Sequence, residues 1–202
     1  MNEEPVTTFR PDLRGPDADL LRHVLGHYPT GVAVITAHTE NGPVGMAMNS
    51  FTSLSLDPPL VLFCPAASST TWPALREVGK VAINVLSAGQ EGLSRKFATK
   101  AVDRFSDASW SVGENGAPLL HDALGWLECT VRSESPGGDH TVVIAEIERM
   151  NVHWEITEPL VFFRGRYYPG MTAAVESEPV PLTSAEEPAT RIEPDRSVEA
   201  VR

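Results

Sequence analysis

Between Thr30 and Cys64 the chain alternates short apolar runs with stiff turns, and few folds tolerate that punctuation. Residues 32–36 (Val-Ala-Val-Ile-Thr) form a β-branched run that reads as a buried strand. Asn41-Gly42 then supplies a hairpin signal before a second strand at 44–48. Asp57-Pro58-Pro59 precedes a third strand at 60–63. Further strands are expected at 81–86, 125–133, 140–150 and 160–163, with Pro136-Gly137-Gly138-Asp139 separating the two long ones. Helices are expected from Asp17 (Leu20, Leu21, Val24, Leu25 and Tyr28 on one face), over 69–78 up to Gly79, and over 90–98. Short strands, hairpins and a few rim helices predict a mainly β, antiparallel barrel with peripheral helices rather than βαβ units. No GxGxxG follows a strand and no GxxxxGK[ST] occurs, which argues against a Rossmann or P-loop nucleotide site.

A chain of 202 residues can bury one substantial core. The expected division is a leader over 1–16, a domain over 17–170 and a tail over 171–202. The tail holds seven acids against three arginines, four prolines and no aromatic residue. It reads as a solvated, disordered segment or as an arm that wraps a partner subunit. A net charge of −11 argues against broad nucleic-acid binding, which needs a basic face. No run approaches the roughly 18 apolar residues of a membrane span, and the acidic start lacks a signal-peptide core. Cys64, Cys129 and six scattered histidines form no metal-ligand spacing, so the reading is metal-free, soluble and cytoplasmic.

Four stretches could carry chemistry. Asn49-Ser50-Phe51-Thr52-Ser53, flanked by Met46 and Met48, combines hydrogen-bonding groups with apolar surface. It could hold a flavin ring, or it could be an ordinary barrel strand. Ser68-Ser69-Thr70-Thr71 at a helix start offers hydroxyls beside free backbone N–H groups, suited to a phosphate or to simple capping. Arg95, Lys96, Lys100 and Arg104 gather positive charge around the third helix, for phosphate or for solvent. His140 follows a Gly-Gly-Asp turn at a strand mouth, and Arg166, Tyr167 and Tyr168 beside Gly165 could stack on a ring or cap the barrel. No serine or cysteine has a nucleophile's context.

In combination these segments are familiar. Tyr28-Pro-Thr-Gly-Val-Ala-Val-Ile-Thr, the run from Gly45 to Cys64, Ala82-Ile-Asn-Val-Leu, Leu93-Ser-Arg-Lys-Phe-Ala, Gly116-Ala-Pro-Leu-Leu, Trp126-Leu-Glu-Cys and Gly138-Asp-His140 occur in the expected order. The chain resembles the flavin reductase-like family with the FMN-binding split barrel. It is most similar to the reductase components of two-component flavin-dependent monooxygenases, including those acting on phenols and steroid-derived phenols. The resemblance implies a homodimer that passes a hydride from NADH or NADPH to FMN or FAD. It also implies a separate monooxygenase component that receives the reduced flavin. Pro43, Val44, Gly45, Met46 and Ala47, with Asn49 and Ser50, would line the isoalloxazine, and Cys64, Pro65 and Ala66 would continue that wall. Thr70 and Thr71 would hold the phosphate, assisted by Lys96 and Phe97, although related sequences can carry a basic residue and serine at that pair. His140, after Gly138-Asp139, would orient the nicotinamide, together with Gly165, Arg166, Tyr167 and Tyr168. A non-catalytic flavin-binding or redox-sensing protein, or a stand-alone flavin-dependent oxidase, could use the same barrel.

Overall fold

In a computed structural model of the chain, the structure describes residues 13–100 and 103–170. The proposed tail lies outside the described residues, as does all but the end of the leader. In chain order the elements are α1 (Ala18–Leu25), β1 (Thr30–Gly31), β2 (Ala33–Thr39), β3 (Gly42–Met48), β4 (Thr52–Leu56) and β5 (Pro59–Phe63). There follow α2 (Trp72–Val78), β6 (Lys80–Val85), a 3-10 turn (Ala88–Gln90), α3 (Glu91–Ala98), β7 (Trp110–Val112) and β8 (Pro118–Leu120). The long hairpin β9 (Gly125–Gly137) and β10 (His140–Val152) and the short β11 (Leu160–Phe163) and β12 (Arg166–Pro169) complete it.

Seven strands form one antiparallel sheet in the order β3-β2-β6-β9-β10-β5-β4. β3 and β4 are its opposite edges, yet only residues 49–51 join them. Laid flat, seven strands would hold the edges about 29 Å apart at the usual spacing. Three linking residues reach at most about 14 Å. The sheet therefore curls until its edges meet at that end, giving an open, split barrel of antiparallel strands as the sequence predicted. Ser50 ties the seam: its hydroxyl accepts from the Cys64 N–H at 2.9 Å and donates to the Cys64 carbonyl at 3.1 Å.

β2 is buried on both faces, which explains its unbroken apolar run. Ala33, Ile35 and Ala37 point into the barrel, where they meet Phe63, Val81, Ile83 and Val143. Trp72 and Leu75 of α2 pack into the same cluster. Val34 faces the other way, into a second cluster with Leu86, Phe97, Leu120 and Leu160. Asn84 and Thr36, buried beside that outer layer, are paired, as burial demands. Asn84 Nδ2 donates to the Val34 carbonyl at 3.0 Å, and Asn84 Oδ1 accepts from the Leu120 N–H at 2.7 Å. The Thr36 hydroxyl donates to the Pro118 carbonyl at 2.6 Å. These bonds fasten β8 across β2 and β6.

Three local expectations change. The stretch from Asn49 to Ser53 divides into the seam, 49–51, and the start of β4, an edge strand the alternation did not reveal. The helix expected over 69–78 begins at Trp72, because Ser69 folds its hydroxyl onto the N–H groups of Thr71 (3.3 Å) and Trp72 (3.1 Å). The four-residue separator shrinks to the two-residue turn Gly138-Asp139, with Gly137 paired to His140. Replacing Ser50 by alanine removes both seam bonds. Urea unfolding should show a loss of about 1–2 kcal/mol; an unchanged midpoint would mean the seam holds without it.

Candidate functional site

As an edge strand, β3 pairs with β2 alone, so one row of its backbone groups faces outward. A groove follows that edge beneath α3. One cavity, of about 200 Å³, is lined by Met46 and Ala47 of β3, Ala66, the hydroxyl run Ser68 to Thr71, Phe97 and Ala98 of α3, and the cations Lys100 and Arg104. A second, of about 180 Å³, is lined by Val32, Ala47, Met48, Asn49, Ser94, Ala98, Phe162 and Tyr167. Ala47 and Ala98 border both cavities, which makes them two ends of one groove.

The first end is anchored by Arg104, a residue singled out only as part of the basic cluster. Its Nη1 donates to the Gly45 carbonyl at 2.7 Å and the Thr71 hydroxyl at 2.8 Å. Nε and Nη2 donate to the Thr99 carbonyl at 3.0 and 2.8 Å. Burial lowers its pKa from the ordinary value, but a guanidinium keeps its charge at neutral pH. One arginine thus joins β3, the hydroxyl run and the end of α3. Lys96, expected to assist the phosphate, is committed elsewhere. Its Nζ donates to Asp107 Oδ2 and to Ser106 Oγ, both at 2.7 Å. That bond and the lysine's charge hold the Asp107 carboxyl below its usual range.

Beside this end the segment expected on the flavin and the turn expected on the nicotinamide lie against each other. The Thr141 N–H donates to the Pro65 carbonyl and the Ala67 N–H to the Asp139 carbonyl, both at 2.9 Å, so the Gly138-Asp139-His140 turn is clamped to the segment after Cys64. His140 bridges Ala66 directly. Its Nδ1 lies 2.7 Å from Asp139 Oδ1, and the side chain remains 44% exposed, so the imidazole is oriented yet accessible. Hydrogen bonding to His140 and its charge depress the Asp139 pKa.

At the other end stands Tyr167. Its hydroxyl accepts from Ser94 Oγ at 2.9 Å, and the Arg95 guanidinium sits 4.8 Å over its ring. Phe162 packs against it at 5.2 Å. Tyr167 is therefore a braced wall of the groove, whereas Arg166 and Tyr168 are exposed. Gly165 makes the β11–β12 turn. His140 and Tyr167 thus serve opposite ends of the groove. Pro43 and Val44 do not line it: Pro43 pairs with His38 near the hairpin turn, and Val44 packs on the barrel core. Ser50 and Cys64 support the seam behind it. Neither thiol is an activated nucleophile, since burial raises the pKa of Cys64 and pushes that of Cys129 up to about 12.

Cations and hydroxyls at one end, apolar Met46, Ala47, Val32 and Phe162 along the middle, and Asn49 with Ser94 at the far end fit a molecule with an anionic tail and a flat, partly polar ring. A flavin mononucleotide moiety has that chemistry. Gly45 is required beneath the groove, because a Cβ there would lie 2.8 Å from Phe97 Cε1 and 3.0 Å from the Ile35 carbonyl oxygen. Gly45→Ala should push the Phe97 ring of α3 away from β3 and cost about 1–3 kcal/mol of stability. Chemical denaturation checks this, and a variant as stable as the parent would contradict the packing.

A family model described as the flavin reductase like domain matches residues 25–171. A flavin reductase from Pseudomonas putida is 43% identical over 152 residues, which cover 75% of this chain and 89% of that protein. The reductase subunit HsaB of a flavin-dependent monooxygenase from Mycobacterium tuberculosis is 41% identical over 152 residues, covering 75% of this chain and 81% of the subunit. Among solved structures, the NADH:FAD oxidoreductase SgcE6 of Streptomyces globisporus C-1027, in complex with NAD and FAD fragments, superposes with a TM-score of 0.75 at 38% identity. That match covers 81% of this chain and 99% of the other. With a curled antiparallel sheet, an amphiphilic groove along its free edge and these relatives, the chain belongs to the flavin reductase-like family.

Proposed function

We propose that this protein is an NAD(P)H:flavin oxidoreductase that reduces FMN or FAD and supplies the product to a separate monooxygenase component. The observation that carries the reading is the groove along β3, whose charge and polarity run from the Arg104 end to the Asn49 end in the order a flavin nucleotide requires. Bound there, a flavin supplies the two-electron acceptor for a hydride. The chain supplies position and electrostatics, which is where hydride-transfer enzymes gain most of their rate.

Arg104, Lys100, Thr70 and Thr71 would grip the phosphate with charge-assisted bonds. Met46, Ala47 and Phe162 would cover the ring's apolar surface and keep water from it. The outward backbone groups of β3 would donate to its polar edge, where negative charge grows during reduction. His140, set by Asp139 and open to solvent beside Ala66, would orient the incoming nicotinamide. No covalent step calls on a protein nucleophile, in keeping with two inert thiols.

Homodimerisation is part of the proposal, and α1 supports it. Leu21, Val24, Leu25 and Tyr28 remain 49–75% exposed on that helix and the turn after it, an apolar face suited to a second copy. No helix among the described residues is long and apolar enough to cross a membrane. A cytoplasmic location would match the supply of reduced flavin to another enzyme.

The direct test mixes purified protein with NADH or NADPH and either FMN or FAD, and follows loss of the reduced-nicotinamide absorbance. Flavin-dependent oxidation is expected with at least one pairing, and none with any pairing would refute the reading. Arg104→Gln should raise the KM for FMN by roughly tenfold or more, the worth of one lost charged hydrogen bond, while riboflavin, which has no phosphate, is used almost unchanged. Equal losses with both flavins would assign Arg104 a purely structural role.

A further inference from the structure

A cavity of about 440 Å³ lies away from the flavin groove and shares no lining residue with it. It opens between the β7–β8 pair and the outward face of β9 and β10. Trp126, Leu119 and Val112 give it apolar walls, and Met150, 74% exposed, stands at its rim. The Trp126 indole is fixed, its Nε1 donating to the Leu120 carbonyl at 2.7 Å.

Among these walls sits Glu128, only 6% exposed. A carboxylate so far withdrawn from water is costly unless a cation or several donors compensate it. Its Oε1 accepts one bond, from the Asn115 N–H at 2.8 Å. The arginine that lines the same cavity, Arg149, faces Glu128 across the β9–β10 pair. Arg149 is already engaged, with its Nε 2.9 Å from Glu114 Oε2. No ion pair among the described residues reaches Glu128. His121, also in the lining, is turned to Ser111, with Nε2 2.7 Å from Oγ. The cavity therefore presents two carboxylates against one arginine, and the buried carboxylate is the one without a cation, held by a single backbone donor.

We propose that this cavity binds a small hydrophobic ammonium ion, with the ammonium on the Glu128 carboxylate and the apolar body against Trp126. An anion would meet two carboxylates and an arginine already paired. A neutral hydrocarbon would leave Glu128 uncompensated. A cation with an apolar body satisfies both walls, and its charge gains from the indole face as well as from the carboxylate.

The full-length protein is titrated calorimetrically with phenethylamine, with phenylethanol and phenylacetate as its neutral and anionic counterparts. The amine should bind, and the alcohol and acid should bind at least tenfold more weakly or not at all. Glu128→Gln keeps the shape of the side chain and should weaken the amine roughly tenfold or more, the scale of a lost charged hydrogen bond. Met150→Lys, on an exposed rim and safe for folding, should weaken it by placing a competing ammonium at the mouth. Excess FMN should leave the amine affinity unchanged, because the two cavities are separate, and Glu128→Gln should reduce flavin at the parent rate. The proposal is overturned if the amine gives no binding heat, if both variants bind it as tightly as the parent, or if FMN displaces it.

Discussion

The constraint on which this structure turns is the three-residue link between the two edges of a seven-stranded sheet. A flat sheet cannot satisfy it, so the sheet must curl, and curling has two consequences. It encloses Ile35, Phe63, Ile83 and Val143 in a barrel interior. It also leaves β3 with a free edge close to the segment that follows β5, because no ladder pairs β3 with β4, and Ser50 in the link is bonded to Cys64 on the β5 side alone. The groove exists because the barrel is split there.

Around that free edge the chain spends its polar residues sparingly. Arg104 spans three elements with one side chain, and the hairpin turn at Gly138-Asp139 is locked to Pro65 and Ala67 by two backbone bonds. Both devices are rigid, which suits a site that must hold a ring and a nicotinamide in register without itself reacting. The opposite side of the barrel is organised differently. There β7 and β8 are stapled on by Asn84 and Thr36, and the crevice left beside them contains Glu128 with a single backbone donor.

Much of this was legible in the residues. The β-branched run before Asn41-Gly42, the glycine after α2 and the long apolar stretches of β9 and β10 correctly announced their elements. The grouping of Met46, Ala47, Asn49, Ala66, Thr70, Thr71 and Phe97 around one groove also matches the geometry. What escaped was set by tertiary pairing. β4 has mixed hydroxyls and leucines, and it is a strand only because β5 lies beside it. Lys96 and Arg104 are alike in a sequence, and only the position of Asp107 turns the first away from the groove. Tyr167 could be read as a stacking or a capping residue, and only the fold shows that Ser94, Arg95 and Phe162 brace it as a wall of the groove. The cavity at Glu128 draws on residues from 111 to 151, and although two of its segments carry the family resemblance, only the fold brings them together around one space.

The central claim is that the free edge of β3 is the flavin's seat, with Arg104 at the phosphate end. A crystal structure of the protein soaked with FMN tests it most directly. The account predicts the ring lying along Met46 to Asn49 beneath α3, and the phosphate within hydrogen-bonding distance of Arg104 and Thr71. Density for the flavin in the Trp126 cavity, or with its phosphate turned toward Tyr167, would contradict it.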